Sequence, residues 1–390
     1  MKIAKIETYI LRVSLGKERF YSSQCVFPER NSFLVRIETD DGFVGWGEGG
    51  QYGPAEPVES CIKHVLSPLL MGQDARERNK LWNVLYAHIR DFGPKGSYIE
   101  ALSAIDIALW DITGQSVGLP IYMLLGGAFR TKVHAYATGC YYRGEDYLDY
   151  QKNLKSLQEE AADYKAAGFH LIKIKIGLLP MEQDLERVRK IREAIGPEVK
   201  LLVDCNHAYN GFNAVRVGKE LEQLGVVFME EPVVPEDYEG YQMVRQKLNL
   251  AIAGGEAEYT RYGFERFINQ GCVDIVQPDI GVCGGFSEWQ NILALAHTKH
   301  VMAIPHVWGS GIAVAAALQA IAGIPSLPHT ANPVPLQNEP VIEYDKNRNP
   351  LRDDLLNESL VFQDGNLYVP DKPGLGVTVN MDKLAQFCQQ

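Results

Sequence analysis

The chain has 390 residues, of which 46% are hydrophobic and 22% are charged, and its formal net charge is −11. This profile is typical of a globular protein with an ample core, and the length predicts two domains or one large barrel with additions. The negative charge argues against a nucleic-acid partner, because phosphate binding needs a basic surface. It does not exclude an anionic substrate, since a few buried cations and a metal can reverse the local field.

The cysteines and the apolar segments indicate where in the cell the protein is located. The seven cysteines form no C-x-x-C pair, which argues against a disulfide framework or a zinc cluster and favours a reducing cytoplasm. The first ten residues, MKIAKIETYI, alternate like a strand and lack the apolar core of a signal peptide. The apolar stretch at 311–324 is too short to span a bilayer and contains Gln319, so it predicts a buried helix. We therefore expect a cytoplasmic protein with no membrane partner.

Residues 1–130 have the pattern of an α+β domain. The strand patterns KIAKIETYIL and FLVRIETDDGFVGWGE flank the loop GKERFYSSQCVFPER. The turn Asp40–Asp41–Gly42 in the second pattern predicts a hairpin. Helical patterns follow over 56–70 and over ALSAIDIALWDITGQSVG, which ends at Gly118. These features predict an N-terminal capping domain over 1–130.

From about residue 131 the pattern changes to short apolar runs, each followed by an amphipathic segment. Eight runs occur: VHAYAT, LIKIKIG, KLLVDCN, VVFMEEP, LAIAGGE, VDIVQPD, VMAIPH and PVIEYD. Alternating strand and helix patterns indicate parallel βαβ units, and eight strands favour a TIM-like (β/α) barrel, as (β/α)7β, over an open sheet. We assign the barrel to 131–355 and expect the segment 356–390, which returns to short strands, to complete the cap.

Polar residues stand at the ends of the barrel runs. From Lys173, the intervals to successive polar residues on the next five runs are 31, 26, 26, 23 and 27 residues, or one βα unit each. Barrel enzymes hold their catalytic groups at the C-terminal ends of the strands. The spacing therefore predicts one site built from Lys173, Lys175, Asp204, Asn206, Glu230, Glu256, Asp279, His306 and, after the last run, Glu343.

Three carboxylates of this set, Asp204, Glu230 and Glu256, lie on successive predicted strands and should converge. Three carboxylates do not stay ionised together without a cation, because like charges raise one another's pKa. Ligation by oxygen alone suits Mg²⁺, so we predict a magnesium site. The alternative is a separate salt bridge from each acid to an arginine of a barrel helix. Glu231 competes with Glu230 as the ligand.

In LIKIKIG, Lys173 and Lys175 point to one face of the strand, because strand side chains alternate. Their charges would lie about 7 Å apart, from a rise of about 3.3 Å per residue. At an effective dielectric near 20, the repulsion is about 2.4 kcal/mol, or about 1.7 pKa units. Desolvation and a divalent ion act in the same direction. We expect one lysine to be neutral near pH 7 and to act as a base. The alternative is that both are counter-ions of the carboxylates.

His306, in IPHVW, lies one βα unit after Asp279. An aspartate on the preceding strand would hold the imidazole in one tautomer and raise its basicity. His306 is five strands away from Lys175, so the two side chains would face opposite sides of a bound substrate. A carboxylate substrate that chelates Mg²⁺ would lose its α-proton to one of these bases, and the metal would stabilise the enolate.

These residues and their spacing resemble the mandelate racemase subgroup of the enolase superfamily, over nearly the whole chain. The stretches DCNHAYN, EEPVVPEDYEGY, QPDIGVCGGFSEWQ and IPHVWGSG are similar to those of the lactone cycloisomerases and acid-sugar dehydratases in that subgroup. The resemblance implies the base Lys175 with Lys173 beside it, the metal ligands Asp204, Glu230 and Glu256, the dyad His306 and Asp279, and Glu343 as an acidic partner of the enolate oxygen. Glu343 follows His306 by 37 residues, a longer interval than in the racemase itself.

The substrate contacts that we expect are Asn206, His207, Tyr21, Ser22 and Trp308. The loops that cover the site in this family correspond to GKERFYSSQCVFPER and GGQYGPAEP, so we expect these loops to set substrate identity.

Three functions are open at this point. The first is Mg²⁺-dependent α-proton abstraction from an aldonate, an aldarate or its lactone, followed by β-elimination; it covers dehydration and lactone-opening cycloisomerisation alike. The second is a racemase or epimerase of a 2-hydroxy acid, which needs both bases and no leaving group. The third is a non-catalytic sugar-acid binder, against which the presence of Lys175, Asp279 and His306 argues. We also expect a homo-oligomer.

Overall fold

The computed structural model describes residues 1–50, 53–144 and 149–388. In the predicted loop GGQYGPAEP, Gln51 and Tyr52 therefore lie outside the described residues. Within the described ranges, no helix combines the length and apolar character needed to cross a membrane.

The N-terminal domain is an antiparallel sheet covered by helices. Its elements are β1 (Ile3–Ser14), β2 (Phe20–Tyr21), β3 (Val26–Phe27), β4 (Glu29–Thr39), β5 (Val44–Gly49), α1 (Glu56–Cys61), α2 (Ser67–Leu70), α3 (Arg78–Ile89), α4 (Ser97–Val117) and α5 (Ile121–Leu124). The main sheet has the order β1–β4–β5. The predicted hairpin at Asp40–Asp41–Gly42 joins β4 to β5, and the predicted helix end is close, since α4 ends at Val117. Gly118 caps this helix in a left-handed conformation.

The barrel consists of eight parallel strands joined by seven helices. Its elements are β6 (Lys132–Gly139), the short β7 (Tyr142–Arg143), α6 (Tyr150–Ala166), β8 (Leu171–Lys175), α7 (Met181–Ile195), β9 (Lys200–Asp204), α8 (Gly211–Gln223), β10 (Val226–Glu230), α9 (Tyr238–Lys247), β11 (Ala251–Gly254), α10 (Thr260–Asn269), β12 (Ile275–Val276), α11 (Gly285–Thr298), β13 (Met302–Ala303), α12 (Gly311–Ala322) and β14 (Ile342–Asp345). The strands pair in the order β13–β12–β11–β10–β9–β8–β6–β14. This arrangement confirms the predicted (β/α)7β barrel.

One end of the barrel interior is apolar. Each of the eight strand regions contributes one side chain to it: Tyr136, Leu171, Leu202, Phe228, Ala253, Ile275, Ile304 and Val341. Because side chains alternate along β8, Lys173 and Lys175 share the inward face with Leu171, whereas Ile172 and Ile174 join the outer layer beneath the helices. The interior is thus apolar at the bottom and charged at the C-terminal mouth, the usual location of barrel active sites.

The C-terminal segment contains α13 (Pro350–Asp353), β15 (Phe362–Gln363), β16 (Asn366–Tyr368) and α14 (Met381–Cys388). Contrary to expectation, its strands extend the barrel sheet, since β16 pairs with the first three residues of β6. Those residues precede the part of β6 that pairs with β8 and β14, and their backbone groups need a partner. As expected, α14 packs against β1 of the cap. The boundaries 1–130, 131–355 and 356–390 stay predictions.

Buried polar groups join the cap to the barrel. Asp106 on α4 accepts hydrogen bonds from Ser287 on α11, with Oδ2 2.9 Å from the backbone N and Oδ1 2.6 Å from Oγ. Burial raises the pKa of Asp106 to about 7, although the hydrogen bonds from Ser287 and the charge of Arg78 act to lower it. The interface therefore contains a carboxyl group that titrates near neutral pH.

We expect Asp106→Asn to flatten the pH dependence of folding stability. In the unfolded chain this carboxyl has a pKa of about 3.9, so it loses its proton at a lower pH there than in the folded protein. The free energy of unfolding of the wild type therefore falls as the pH rises from about 3.9 to about 7. Asparagine does not titrate, so the free energy of unfolding of the variant relative to wild type should grow by about 3 kcal/mol from pH 5 to pH 8. Urea unfolding at both pH values measures this, with Asp91→Asn, at a 90% exposed side chain, as the control. A constant difference between variant and wild type would contradict the assignment.

Candidate active site

The acids predicted to bind metal meet at the C-terminal mouth of the barrel. Asp204 ends β9, Glu230 ends β10, and Glu256 follows β11 by two residues. The strand register places Asp204 beside Glu230 on one side and beside Lys175 on the other. One carboxylate oxygen from each of the three acids lies within 4.8 Å of the others, and all three residues are buried. The structure therefore brings these acids together in one cluster.

The composition of the cluster fits a hard divalent cation. It offers carboxylate oxygens only, which suits Mg²⁺ better than a softer metal. Asn206 adds a buried Oδ1 that has no hydrogen-bond partner among the described residues, while its backbone N donates to Asp204 Oδ1 at 2.9 Å. Glu231 is not part of the cluster; its Oε2 lies 2.7 Å from Nε2 of His207 instead.

The two lysines of β8 lie against these carboxylates. Nζ of Lys173 is 2.9 Å from Glu230 Oε1 and 2.8 Å from Glu343 Oε1, and Nζ of Lys175 contacts Asp204 Oδ2. Burial lowers the pKa of each lysine, but the neighbouring carboxylates outweigh it, so both pKa values are raised. The carboxylate contacts, which the expectation of a lysine pKa near 7 omitted, thus outweigh the repulsion between the two lysines. That expectation also counted a divalent ion, and it stays a prediction for the metal-bound site.

The pKa values of the three acids are shifted in different directions. Burial raises the pKa of Asp204, but Lys175 and Lys173 more than compensate and hold it below its usual range. Glu230 has a strongly raised pKa, because it is buried and lies beside the charge of Asp204. Burial and the charge of Glu231 raise the pKa of Glu256 to about 7. The raised pKa values of Glu230 and Glu256 show that the lysines do not fully offset the repulsion between the carboxylates. This repulsion favours a bound cation.

His306 and Asp279 lie together on the neighbouring strand ends. Nδ1 of His306 is 2.7 Å from Oδ2 of Asp279, and the two residues form a backbone bridge. Nε2 of His306 lies 3.5 Å from Glu256 Oε2. Burial lowers the pKa of His306, but Glu256, Asp279 and Glu343 raise it to about 10. The contact at Nδ1 fixes the ring so that Nε2 faces the acidic cluster.

Glu343 joins the same group of side chains from β14. Its Oε1 accepts a hydrogen bond from Thr138 Oγ1 at 2.5 Å, and its Oε2 accepts one from the backbone N of Val307 at 3.3 Å. Burial raises the pKa of Glu343, but Lys173 and His306 lower it to about 2. The long interval before Glu343 is taken up by the connection 323–341 between α12 and β14.

A cavity of about 440 Å³ opens between the barrel mouth and the N-terminal domain. Its lining includes Lys175, Glu256 and His306 from the barrel and residues of both predicted covering loops. Three expected substrate contacts line it: Asn206, Ser22 and Trp308. The described lining does not include the other two, Tyr21 and His207. Tyr21 pairs with Tyr142 in a small sheet, and His207 faces Glu231.

Sequence reasoning did not single out Tyr141, Arg30 and Gln277, which are among the residues of the site. Tyr141 lines the cavity with its ring centre 5.3 Å from Nζ of Lys175, and Arg30 lies 4.5 Å over the ring of Trp308. Gln277 donates a hydrogen bond to Glu230. Gln277 stands two residues before Asp279, so the alternation of strand side chains could have placed it on the same inward face. Arg30 ends the predicted covering loop GKERFYSSQCVFPER, but nothing in the sequence pattern singles it out, and nothing points to Tyr141.

Comparisons with known proteins decide the family. Residues 5–126 match the mandelate racemase/muconate lactonizing enzyme N-terminal domain, and residues 156–383 match the enolase C-terminal domain-like family. The chain belongs to the mandelate racemase group of the enolase superfamily. The predicted family is thereby confirmed.

Several relatives match over most of their length. D-galactarolactone cycloisomerase of Agrobacterium fabrum is 44% identical over 387 residues, 99% of each chain. Arabinonate dehydratase of Saccharolobus solfataricus is 39% identical over 345 residues, 88% of this chain and 87% of its own. The crystal structure of the 3,6-anhydro-D-galactonate cycloisomerase from Zobellia galactanivorans has a TM-score of 0.87 and 40% identity, covering 99% of both chains. The prediction of an enzyme of the lyase or isomerase type is confirmed by these relatives.

A further structure bears on the metal. A racemase from Streptomyces coelicolor A3(2) with bound magnesium has a TM-score of 0.86 and 26% identity, covering 99% of both chains. Members of this superfamily thus bind Mg²⁺, and the present chain contains a cluster of three acids suited to it.

Proposed function

We propose that the protein removes the α-proton of a sugar acid in a Mg²⁺-dependent reaction and then eliminates the β-substituent. The observation that carries this proposal is the cluster of three acids at the barrel mouth, one of which, Glu256, lines the same cavity as Lys175 and His306. The similarity to cycloisomerases and a dehydratase of sugar acids supports the substrate class, an aldonate, an aldarate or a lactone of one.

The acidic cluster positions the substrate in this proposal. Asp204, Glu230 and Glu256 would hold the metal. When bound, Mg²⁺ supplies positive charge to the substrate carboxylate and to the enolate oxygen. The Oδ1 of Asn206 is an acceptor for a substrate hydroxyl, and Ser22 brings another polar group from the cap loop to the cavity. The cap and the barrel therefore contribute to the same binding site.

The two bases move protons on either side of the bound acid. Lys175 would take the α-proton at Nζ, and His306 would use Nε2 to protonate the leaving oxygen or the product carbon. Burial favours the neutral amine of Lys175, and the charge of Asp204 opposes it. Neutralisation of Asp204 by a bound cation would remove that opposition and lower the pKa of Lys175 towards the working pH. Lys173 and Glu343, 2.8 Å apart, would form a fixed charged pair beside the reacting carboxylate.

Racemisation or epimerisation of a 2-hydroxy acid is the second candidate, because both Lys175 and His306 line the cavity. A non-catalytic binder would have no need of the His306–Asp279 pair or of Lys175. We further propose, in keeping with the sequence analysis, a cytoplasmic homo-oligomer.

Incubation with a panel of aldonates, aldarates and their lactones tests the proposal. We expect keto-acid formation from at least one member in the presence of Mg²⁺, loss of this activity with EDTA, and its return when Mg²⁺ is added back. Full activity after exhaustive chelation would contradict the role of the metal. Absence of keto acid from every member, with the chain folded and Mg²⁺ present, would contradict the elimination.

A further inference from the structure

Gln277 is a buried glutamine beside the acidic cluster. It directly follows β12 and is 1% exposed, and its Nε2 donates to Glu230 Oε2 at 2.9 Å. Its Oε1 has no hydrogen-bond partner among the described residues. A buried amide that uses only part of its hydrogen-bonding capacity costs stability, so an apolar side chain would serve the core better. The contact with Glu230 therefore points to a role beyond packing.

The hydrogen bonds of Glu230 define that role. Nζ of Lys173 donates to Oε1 at 2.9 Å and to Oε2 at 3.0 Å, and Gln277 adds a second donor to Oε2. A carboxylate has about four lone-pair positions, two on each oxygen. Both positions of Oε2 are thus taken, while Oε1 keeps one position. Glu230 can present only Oε1 to the centre of the cluster without losing a hydrogen bond.

We infer that Gln277 is a positioning residue for cation binding. It fixes the carboxylate plane of Glu230 and reserves Oε1 for the cation. An amide suits this place because it donates a hydrogen bond without adding a positive charge that would repel the metal. Partners that orient a ligand in this way change metal affinity although they do not touch the metal. The inference rests on the proposed metal site.

Gln277→Met tests this inference, because methionine keeps the shape of the side chain and removes the donor. The test uses Mn²⁺, which takes the same oxygen ligands as Mg²⁺. Its binding is to be measured without substrate, from the electron paramagnetic resonance signal of the free ion. We expect Kd for Mn²⁺ to rise by about 10- to 100-fold. The matched control is Gln319→Met, at a fully buried glutamine of α12 that bonds to Tyr122 N and Pro370 O. It should lower Tm and leave Kd within about threefold of wild type.

Gln277→Asn is the second variant, for the case in which methionine prevents folding. Asparagine keeps an amide at the position but is one methylene too short to reach Glu230, so it should also raise Kd by at least about tenfold. A folded Gln277 variant that binds Mn²⁺ as tightly as wild type would overturn the inference and leave the proposed function standing. A wild-type protein that binds no Mn²⁺ would overturn both. A rise in Kd that the Gln319 control shares would assign the effect to general loss of stability and would also overturn the inference.

Discussion

Lys175→Ala and His306→Asn should each reduce turnover of the substrate by about 10²- to 10⁴-fold, the usual contribution of a general acid or base. Both side chains line the cavity, and each is held by a carboxylate, Asp204 for the lysine and Asp279 for the histidine. Circular dichroism and Tm of each variant establish that the fold is retained. Steady-state rates then report the loss of the proton-transfer group.

Exchange of the α-hydrogen with deuterated water separates the roles of these two residues. We expect Lys175 to abstract the α-proton, so exchange should disappear in Lys175→Ala and persist in His306→Asn. Proton NMR of recovered substrate measures the exchange independently of product formation. Exchange that persists in Lys175→Ala and vanishes in His306→Asn would reverse the assignment. Unchanged turnover in both folded variants would exclude them as the bases.

Removal of a metal ligand should be equally damaging to activity. Glu256→Gln and Asp204→Asn each take one anionic oxygen from the cluster, so we expect loss of Mg²⁺ binding by calorimetry and loss of activity. The two variants should differ in stability. Asp204→Asn leaves the buried Lys175 without its closest counter-ion, which typically costs about 3–5 kcal/mol. Glu256 already has a pKa of about 7, and its partner His306 keeps its contact with Asp279, so Glu256→Gln should cost less stability than Asp204→Asn.

Glu258→Gln is the matched control for these variants. Glu258 is buried two residues beyond Glu256, but its carboxylate accepts a hydrogen bond from Tyr238 OH at 3.1 Å and is not part of the acidic cluster. We expect wild-type Mg²⁺ affinity for this variant. Equal Mg²⁺ affinity in Glu256→Gln and Glu258→Gln would show that Glu256 is not a ligand.

The barrel and its polar mouth could be predicted because both follow from local periodicity. Each apolar run predicts one strand, and the polar residue at the end of the run lies at the C-terminal mouth of the barrel. Asp204 and Glu230 end successive runs, so they are placed side by side. The sequence did not distinguish Glu230 from Glu231 as the predicted metal ligand. The two are adjacent in sequence, and only the structure shows that Glu230 joins Asp204 and Glu256 while Glu231 contacts His207.

Other features depended on contacts between distant segments. The raised pKa of Lys175 results from its contact with Asp204, which is 29 residues away in sequence. The strand pattern does not give the distance between the two side chains. The pairing of β16 with β6 follows from where the barrel ladder begins on β6, a property of the whole sheet. Tyr141 reaches the cavity from a loop after β6, where no periodic pattern applies.

One proton NMR spectrum distinguishes β-elimination from epimerisation after removal of the α-proton. Each sugar acid of the panel is incubated with the protein in deuterated water with Mg²⁺, and the recovered material is examined by proton NMR. We predict a 3-deoxy-2-keto acid that carries one solvent deuteron on carbon 3, because the enol formed by elimination collects its proton there. Recovery of the 2-hydroxy acid with deuterium at an inverted carbon 2, and no keto acid, would contradict this account and assign the protein as an epimerase.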